Sequence, residues 1–412
     1  MLLTRSGIEG VLQGSPAVQL TQIGIEAVFS NQQQLTGTPQ SLTTVWPNAI
    51  RGLTWTVNRS FTFNTIIPDS ANQLEIAIAN SPNPLWTWEF IYDYIKNDAA
   101  DIQSIYWPYT DLQTFIGFLM ARQGRYDEFL FYDPSPDMNE VGPHIWQPVP
   151  VLQTGNYYPT GYVIIDPNGY QQSATVGGLS RLTIPSFATG SGAVTADGNI
   201  SWTNGGLFPG SSAQPLQFFS DGFGNYYSPL QRYYGGQFYE DVTDLNTSPY
   251  PLRLWANGLP MQSSPASYQL FGPGLPLSPL VAYYGRYVKF TQWTPFTAYL
   301  VGGVLIDPLG HAQRATTAGL TGNISPPWND SGGQTLDGGV LWQDTGRANI
   351  TASFNYYWRC RLSSDSSSYE QFMKFLFTIG GQKTKNGSAS IKIQQRRPVA
   401  APPSCEVYPW NL

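Results

Sequence analysis

A mainly β fold is what this sequence predicts, and three observations predict it. Its 412 residues include 41 glycines and 33 prolines, which punctuate it with turns. Aromatic residues make up 14%, 25 of them tyrosines, and favour the pleated, half-buried surfaces of sheets. Apolar and polar residues alternate in many short runs. The expected architecture is a β-sandwich or barrel core with two short amphipathic helices, plus two copies of a small β-module. Charged residues are only 12% and the net charge is -6. That balance offers no basic field to release counterions from phosphates, which argues against nucleic-acid binding. A neutral surface rich in Asn, Gln, Ser and Thr suits a protein packed inside an assembly.

In chain order, residues 1–45 are polar and weakly patterned, and read as an extended N-terminal arm. The opening MLLTRSGIEGVLQG has neither a long apolar core nor a cleavage-like site, so no signal peptide is expected. No run approaches the ~18 apolar residues that span a bilayer. Residues 46–142 form a strand–helix–strand region. Trp86, Trp88, Phe90 and Tyr92 alternate with other residues, giving an extended segment one aromatic face. Asp111 is an N-cap for a helix whose face carries Leu112, Phe115, Ile116 and Leu119 at i, i+3, i+4, i+7 spacing. Gly124 ends it, and a second aromatic strand runs from Glu128 to Tyr132.

The two modules are residues 143–207 and 291–346. YPTGYVIIDPNGYQQSATVGGLSRLTIP from Tyr158 aligns without a gap on YLVGGVLIDPLGHAQRATTAGLTGNISP from Tyr299. Asp166-Pro167 faces Asp307-Pro308, Gly169 faces Gly310, and Ala174-Thr175 faces Ala315-Thr316. After a one-residue length difference, Asp197 to Trp202 answers Asp337 to Trp342. Asp-Pro-x-Gly is hairpin-turn chemistry: proline fixes φ and glycine supplies positive φ. Trp202 and Trp342 are the expected packing centres of two modules with little core of their own. The alternative is a stacking platform for a pyranose, with Tyr158 and Tyr299 as further glycan or partner contacts.

Residues 208–290 continue the core as strands with Gly/Pro turns. Residues 347–396 read as a second strand–helix–strand unit. Its strand is Phe354 to Arg361, FNYYWRCR, and its helix follows Ser366-Ser367-Ser368 with Tyr369, Phe372, Met373 and Leu376 on one face, ending at Gly380-Gly381. SASIKI, Ser388 to Ile393, closes it as a strand. Residues 397–412 are a Pro-rich tail.

Catalysis is poorly provided for. The two histidines, His144 and His311, do not align with each other, and no His/Cys/Asp cluster has metal-ligand spacing. No GxSxG elbow or P-loop is present. Glu89 with Asp93, and Asp133 with Asp137, are the carboxylate pairs a glycosidase could use, and they read equally well as strand and turn residues. The Asp197 and Asp337 turns offer too few acidic groups for calcium. Cys360 and Cys405 make no disulfide framework. No catalytic, cofactor-binding or metal residue is therefore assigned, and no cofactor is expected.

Several runs carry a resemblance to a known family. These are Gly52-Leu53-Thr54-Trp55, Pro84-Leu85-Trp86, Ala121-Arg122-Gln123-Gly124 before an aromatic strand, and the closing YYWRCRLSSDSSSYEQFMKFLF. Over residues 46–138 and 350–393 the chain resembles tailed-phage minor tail proteins related to distal tail proteins, including those of gene transfer agents. The two modules and the long arm depart from that pattern. The resemblance implies a structural virion protein at the tail tip, assembled in the host cytoplasm. It implies a homo-oligomeric ring, usually hexameric, joining the tail tube protein to the baseplate hub and other tail-tip proteins. The modules would then project toward host-surface glycans or neighbouring tail proteins. Two alternatives remain: a receptor- or carbohydrate-binding tail fibre subunit, and a glycan-degrading tail enzyme.

Overall fold

The computed structural model describes residues 44–47, 53–66, 78–79, 83–97, 111–135, 138–147, 156–222, 224–236, 238–261, 267–272, 276–278, 281–282, 285–365, 368–373, 376–380 and 391–396. The predicted arm, apart from its last residues, and the Pro-rich tail lie outside them. The described residues are mainly β, arranged in several antiparallel sheets with a single α-helix.

One strand organises the core. Ile350–Leu362 is a 13-residue run in which all but two side chains are buried. Such burial on both faces requires cover on both sides, and its composition of Phe, Tyr, Trp and β-branched residues suits that. It pairs in succession with Arg253–Ala256, Gln214–Pro215, Glu140–Val141, Asp244–Asn246, Glu128–Phe131 and Ile391–Gln395. Ile391–Gln395 also pairs with Leu85–Lys96, setting Ile393 opposite Trp88 and Gln395 opposite Cys360. The two aromatic strands predicted at opposite ends of the sequence therefore lie in one sheet and share one core. Trp88 and Trp358 meet edge to face with ring centroids 5.0 Å apart. Fully burying a side chain of this size removes enough apolar surface from water to contribute about 3 kcal/mol.

The helix Asp111–Ala121 forms as predicted and buries Leu112 and Phe115. Trp46 fills the space beneath it, edge to face with both Phe115 and Phe118 at 5.4 and 5.3 Å. The chain leaves the helix through two left-handed residues, Gln123 (φ 49°) and Gly124 (φ 67°). A Cβ on Gly124 would lie 2.7 Å from the Asp365 carboxylate, so this stop needs glycine for space as well as for φ.

The second predicted helix does not form. Ser368–Met373 and Leu376–Gly380 are strands of a hairpin that pairs Tyr369 with Ile379, and the second of them pairs with Leu85–Lys96. Tyr, Phe, Thr and Ile in this run favour strand, and the free edge beside Tyr92 satisfies their backbone groups, so tertiary pairing overrides the helical spacing.

The duplication is visible strand for strand. In the first copy Val194–Asp197, Ile200–Leu207, Tyr170–Val176 and Val163–Ile165 form a four-stranded sheet in that order. In the second, Gln334–Asp337, Val340–Arg347, His311–Ala315 and Val304–Ile306 repeat it. Each sheet is closed by a two-stranded pair, Tyr157–Tyr158 with Gly178–Leu179 and Ala298–Tyr299 with Gly319–Leu320. Gly178 and Gly319 occupy equivalent positions where the chain passes under the following hairpin. A Cβ there would meet Asn199 at 2.9 Å or the Gly339 carbonyl at 2.4 Å.

Candidate functional site

The four residues proposed as glycan or partner contacts are all buried. Trp202 and Trp342 are 0% exposed, Tyr158 5% and Tyr299 3%. Tyr158 meets Trp202 edge to face at 5.2 Å, and Tyr299 meets Trp342 at 4.8 Å. Phe187 and Trp328 cover further edges of the two tryptophans. No ring face is left for a pyranose, so the stacking platform is corrected and these residues are the module cores. Burial also pushes the phenol of Tyr299 up to about 12.

Each core is built around a buried carboxylate. Asp197 Oδ2 accepts hydrogen bonds from Trp202 Nε1 at 3.1 Å and Trp146 Nε1 at 2.9 Å, and its Oδ1 accepts from the Arg181 amide at 2.7 Å. Asp337 repeats this with Trp342 Nε1 at 3.2 Å, Trp293 Nε1 at 2.7 Å and the Gly322 amide at 2.7 Å. The Asp-Gly turns are thus more than turns: each aspartate satisfies two indoles, both buried in the first module and one buried, one partly buried in the second. Trp146 and Trp293 escaped the sequence comparison because they precede Tyr158 and Tyr299 by unequal distances, twelve and six residues.

A second repeated carboxylate anchors the Asp-Pro-x-Gly turn. Asp166 Oδ1 accepts from the Asn168 and Tyr170 amides at 2.8 and 3.0 Å, and Oδ2 from Gln172 Nε2 at 2.8 Å. Asp307 does the same with Leu309, His311 and Gln313 at 2.8, 3.0 and 2.8 Å. The turn is also where each module meets the core. Arg253 Nη2 donates to the Pro167 carbonyl and to that of Asp166 at 3.3 Å, and the Tyr226 hydroxyl donates to the Pro308 carbonyl at 3.1 Å.

The carboxylates considered for glycosidase chemistry are engaged elsewhere. Asp133 is fully buried, ion-paired to Arg59, and accepts from Trp88 Nε1 at 2.6 Å. Asp137 lies outside the described residues, as does the side chain of Asp93. Glu89 pairs with Lys392 at 3.6 Å. In the core, Asp244 forms a two-point pair with Arg359 at 3.1 and 2.9 Å. Glu240 accepts from Trp86 Nε1 at 3.2 Å and the Tyr234 hydroxyl at 2.6 Å. Cys360 is a free, buried thiol whose pKa is pushed well up by burial and nearby carboxylates, and Cys405 lies outside the described residues.

Each histidine stands beside a carboxylate. His144 Nδ1 is 3.2 Å from Glu140 Oε2 and its ring stacks on Tyr162 at 5.4 Å. His311 Nδ1 is 3.2 Å from Asp344 Oδ1. His144 and Glu140 line an open pocket of about 430 Å³ with Phe208, Ser212, Arg232 and Tyr233, where the core meets the end of the first module. Among the described residues, no three or more His, Cys, Asp or Glu side chains are grouped to hold a metal ion, and no helix is long and apolar enough to cross a membrane.

Taken together, fold and sites define a class: a β scaffold organised by one long strand, bearing two copies of a small module with an aspartate–tryptophan centre. No known protein family matches the sequence, and no curated protein does either.

Proposed function

We propose that this chain is a structural protein of a phage-type distal tail, assembling as a symmetric ring that joins the tail tube to the baseplate hub. One observation carries the reading. The two sequence stretches that resemble tail proteins, far apart in the chain, interleave in a single sheet through Ile350–Leu362, Ile391–Gln395 and Leu85–Lys96. A shared core is what two segments of one family domain require when modules have been inserted between them. The modules are then appendages of the ring, their Asp-Pro-x-Gly turns held by Arg253 in the first and Tyr226 in the second. The low charge of the chain and its internally bonded carboxylates support a scaffold over an enzyme.

Electron microscopy and light scattering of the purified protein test this. Rings of one stoichiometry are expected. A monodisperse monomer at high concentration contradicts the reading, and a trimer favours the alternative of a receptor-binding fibre subunit.

A further inference from the structure

We propose that the pocket at the junction of the core and the first module is a binding site for a small carboxylate-bearing ligand, an acidic monosaccharide in particular. The site belongs to the folded chain and does not depend on ring formation.

Arg232 carries the inference. It is half-buried in the pocket wall, yet its protein hydrogen bonds use one nitrogen only: Nη1 donates to the Tyr356 hydroxyl at 3.3 Å and lies 3.8 Å from Met138 Sδ. Its guanidinium lies over the Tyr234 ring, 4.5 Å from the centroid. Nε and Nη2 have no partner, and no carboxylate forms an ion pair with it among the described residues. By contrast Arg59 and Arg359 in the core sheet hold Asp133 and Asp244 at two points each. A half-buried guanidinium with two unused donors is a ready receptor for a carboxylate, which it can bind at two points with charge-assisted hydrogen bonds.

The rest of the lining agrees. The pocket's own acid, Glu140, has its two oxygens turned to His144 Nδ1 and Gln147 Nε2, so the two charges in the wall are not paired with each other. The Gln214 amide is likewise committed, accepting from the Tyr233 amide at 2.8 Å and donating to the Gln231 carbonyl at 2.7 Å. Glu240 stands directly across from Arg232 on the paired strand and raises its pKa, but its oxygens accept from Trp86, Tyr234 and Gln395 and form no ion pair with it. Ser212, Tyr233 and Phe208 complete the lining. A volume of about 430 Å³ accommodates one sugar ring with room for its hydroxyls.

The test is ligand-observed NMR and calorimetry on the full chain with sodium glucuronate, sodium acetate and glucose. Glucuronate is expected to bind saturably, glucose not to compete with it, and acetate to bind at least tenfold more weakly. Arg232→Gln, checked for an unchanged melting curve, is expected to weaken glucuronate at least tenfold. Ser212→Trp, which places bulk at an exposed rim position, is expected to block it and decides the question if the arginine variant does not fold. Unchanged glucuronate binding in either folded variant, or no binding to the wild-type chain, overturns the site. Glucose binding as tightly as glucuronate overturns the carboxylate assignment, and acetate binding as tightly overturns the sugar.

Discussion

The two modules share a sheet order, a turn and a buried aspartate–tryptophan centre, but they are mounted differently. In the first, Ile164, Ile165, Trp202 and Tyr158 form a hydrophobic cluster of their own, joined by Ile145, Trp146 and Tyr250. In the second, Tyr299, Leu305, Val340 and Trp342 form a small inner cluster, while Val304, Ile306 and Ala312 on the other face belong to the main core. One module is therefore a satellite with a private core, and the other is one wall of the scaffold. At one aligned position of these sheets, Gln171 in the first copy stands where the fully buried Ala312 stands in the second. Duplication preserved what each module needs internally and let the mounting diverge.

The largest effects should come from the tryptophan centres, and they should differ between copies. Trp202→Ala and Trp342→Ala each remove a fully buried indole, costing about 3–5 kcal/mol. Calorimetry should show the first variant melting in two steps, with the satellite lost before the core. The second should lower a single main transition, because its sheet is part of the core wall. Equal behaviour of the two variants would remove the distinction in mounting. Asp197→Ala and Asp337→Ala come next, since each leaves two indole N–H groups without an acceptor, at about 1–3 kcal/mol per buried group, with Trp293 in the second module only partly buried. Adding Trp146→Phe to Asp197→Ala should restore part of the loss, because it removes one orphaned donor along with its partner.

How much of this was legible follows from the range of the forces involved. The Asp-Pro-x-Gly turn, the Asp-Gly hairpin and the Trp that follows are local, so the repeat gave away both modules and their cores. The helix Asp111–Ala121 was legible for the same reason, as its cap, apolar face and glycine stop are all close in sequence. The hairpin at Ser368–Gly380 was not, because helix spacing and strand composition coincide there and an edge 280 residues earlier decides between them. Trp146 and Trp293 were hidden by unequal linkers. Arg232 was hidden more deeply: Glu240 stands directly across from it on the paired strand yet gives its oxygens to Trp86, Tyr234 and Gln395, which the fold alone decides.

Smaller effects are expected at the anchors. Arg253 reaches two carbonyls of the first turn, whereas Tyr226 gives the second turn one hydroxyl hydrogen bond. Tyr226→Phe should cost no more than about 1 kcal/mol, the worth of a single exposed hydrogen bond. Arg253→Ala should cost about 2 kcal/mol, because a charged donor and its packed stem are lost together. Limited proteolysis sharpens the contrast: the arginine variant should release the first module while leaving its internal core protected. Cleavage within the module instead would mean that the anchor supports the module's own fold.

The smallest expected effect is a dependence on pH confined to one copy. His311 and Asp344 of the second module stand where the first has Tyr170 and Asn204. Burial opposes ionisation of Asp344, but amides of Gly332 and Gly346 at 2.8 and 2.9 Å and the His311 imidazole outweigh it, so its pKa lies below the ordinary carboxylate value. A carboxyl depressed in the folded state contributes stability that is fully present above the unfolded value, ~3.9, and is lost as pH falls through the lower folded one. The second module should therefore weaken below about pH 4 through this group. Asn204 does not titrate, so it adds no such slope to the first. Asp344→Asn should flatten the acid limb of the main melting transition, which contains the second module, read as its shift between pH 5 and pH 3. An unchanged limb would mean that the carboxylate's hydrogen bonds survive protonation, and that the two copies differ in mounting but not in their response to acid.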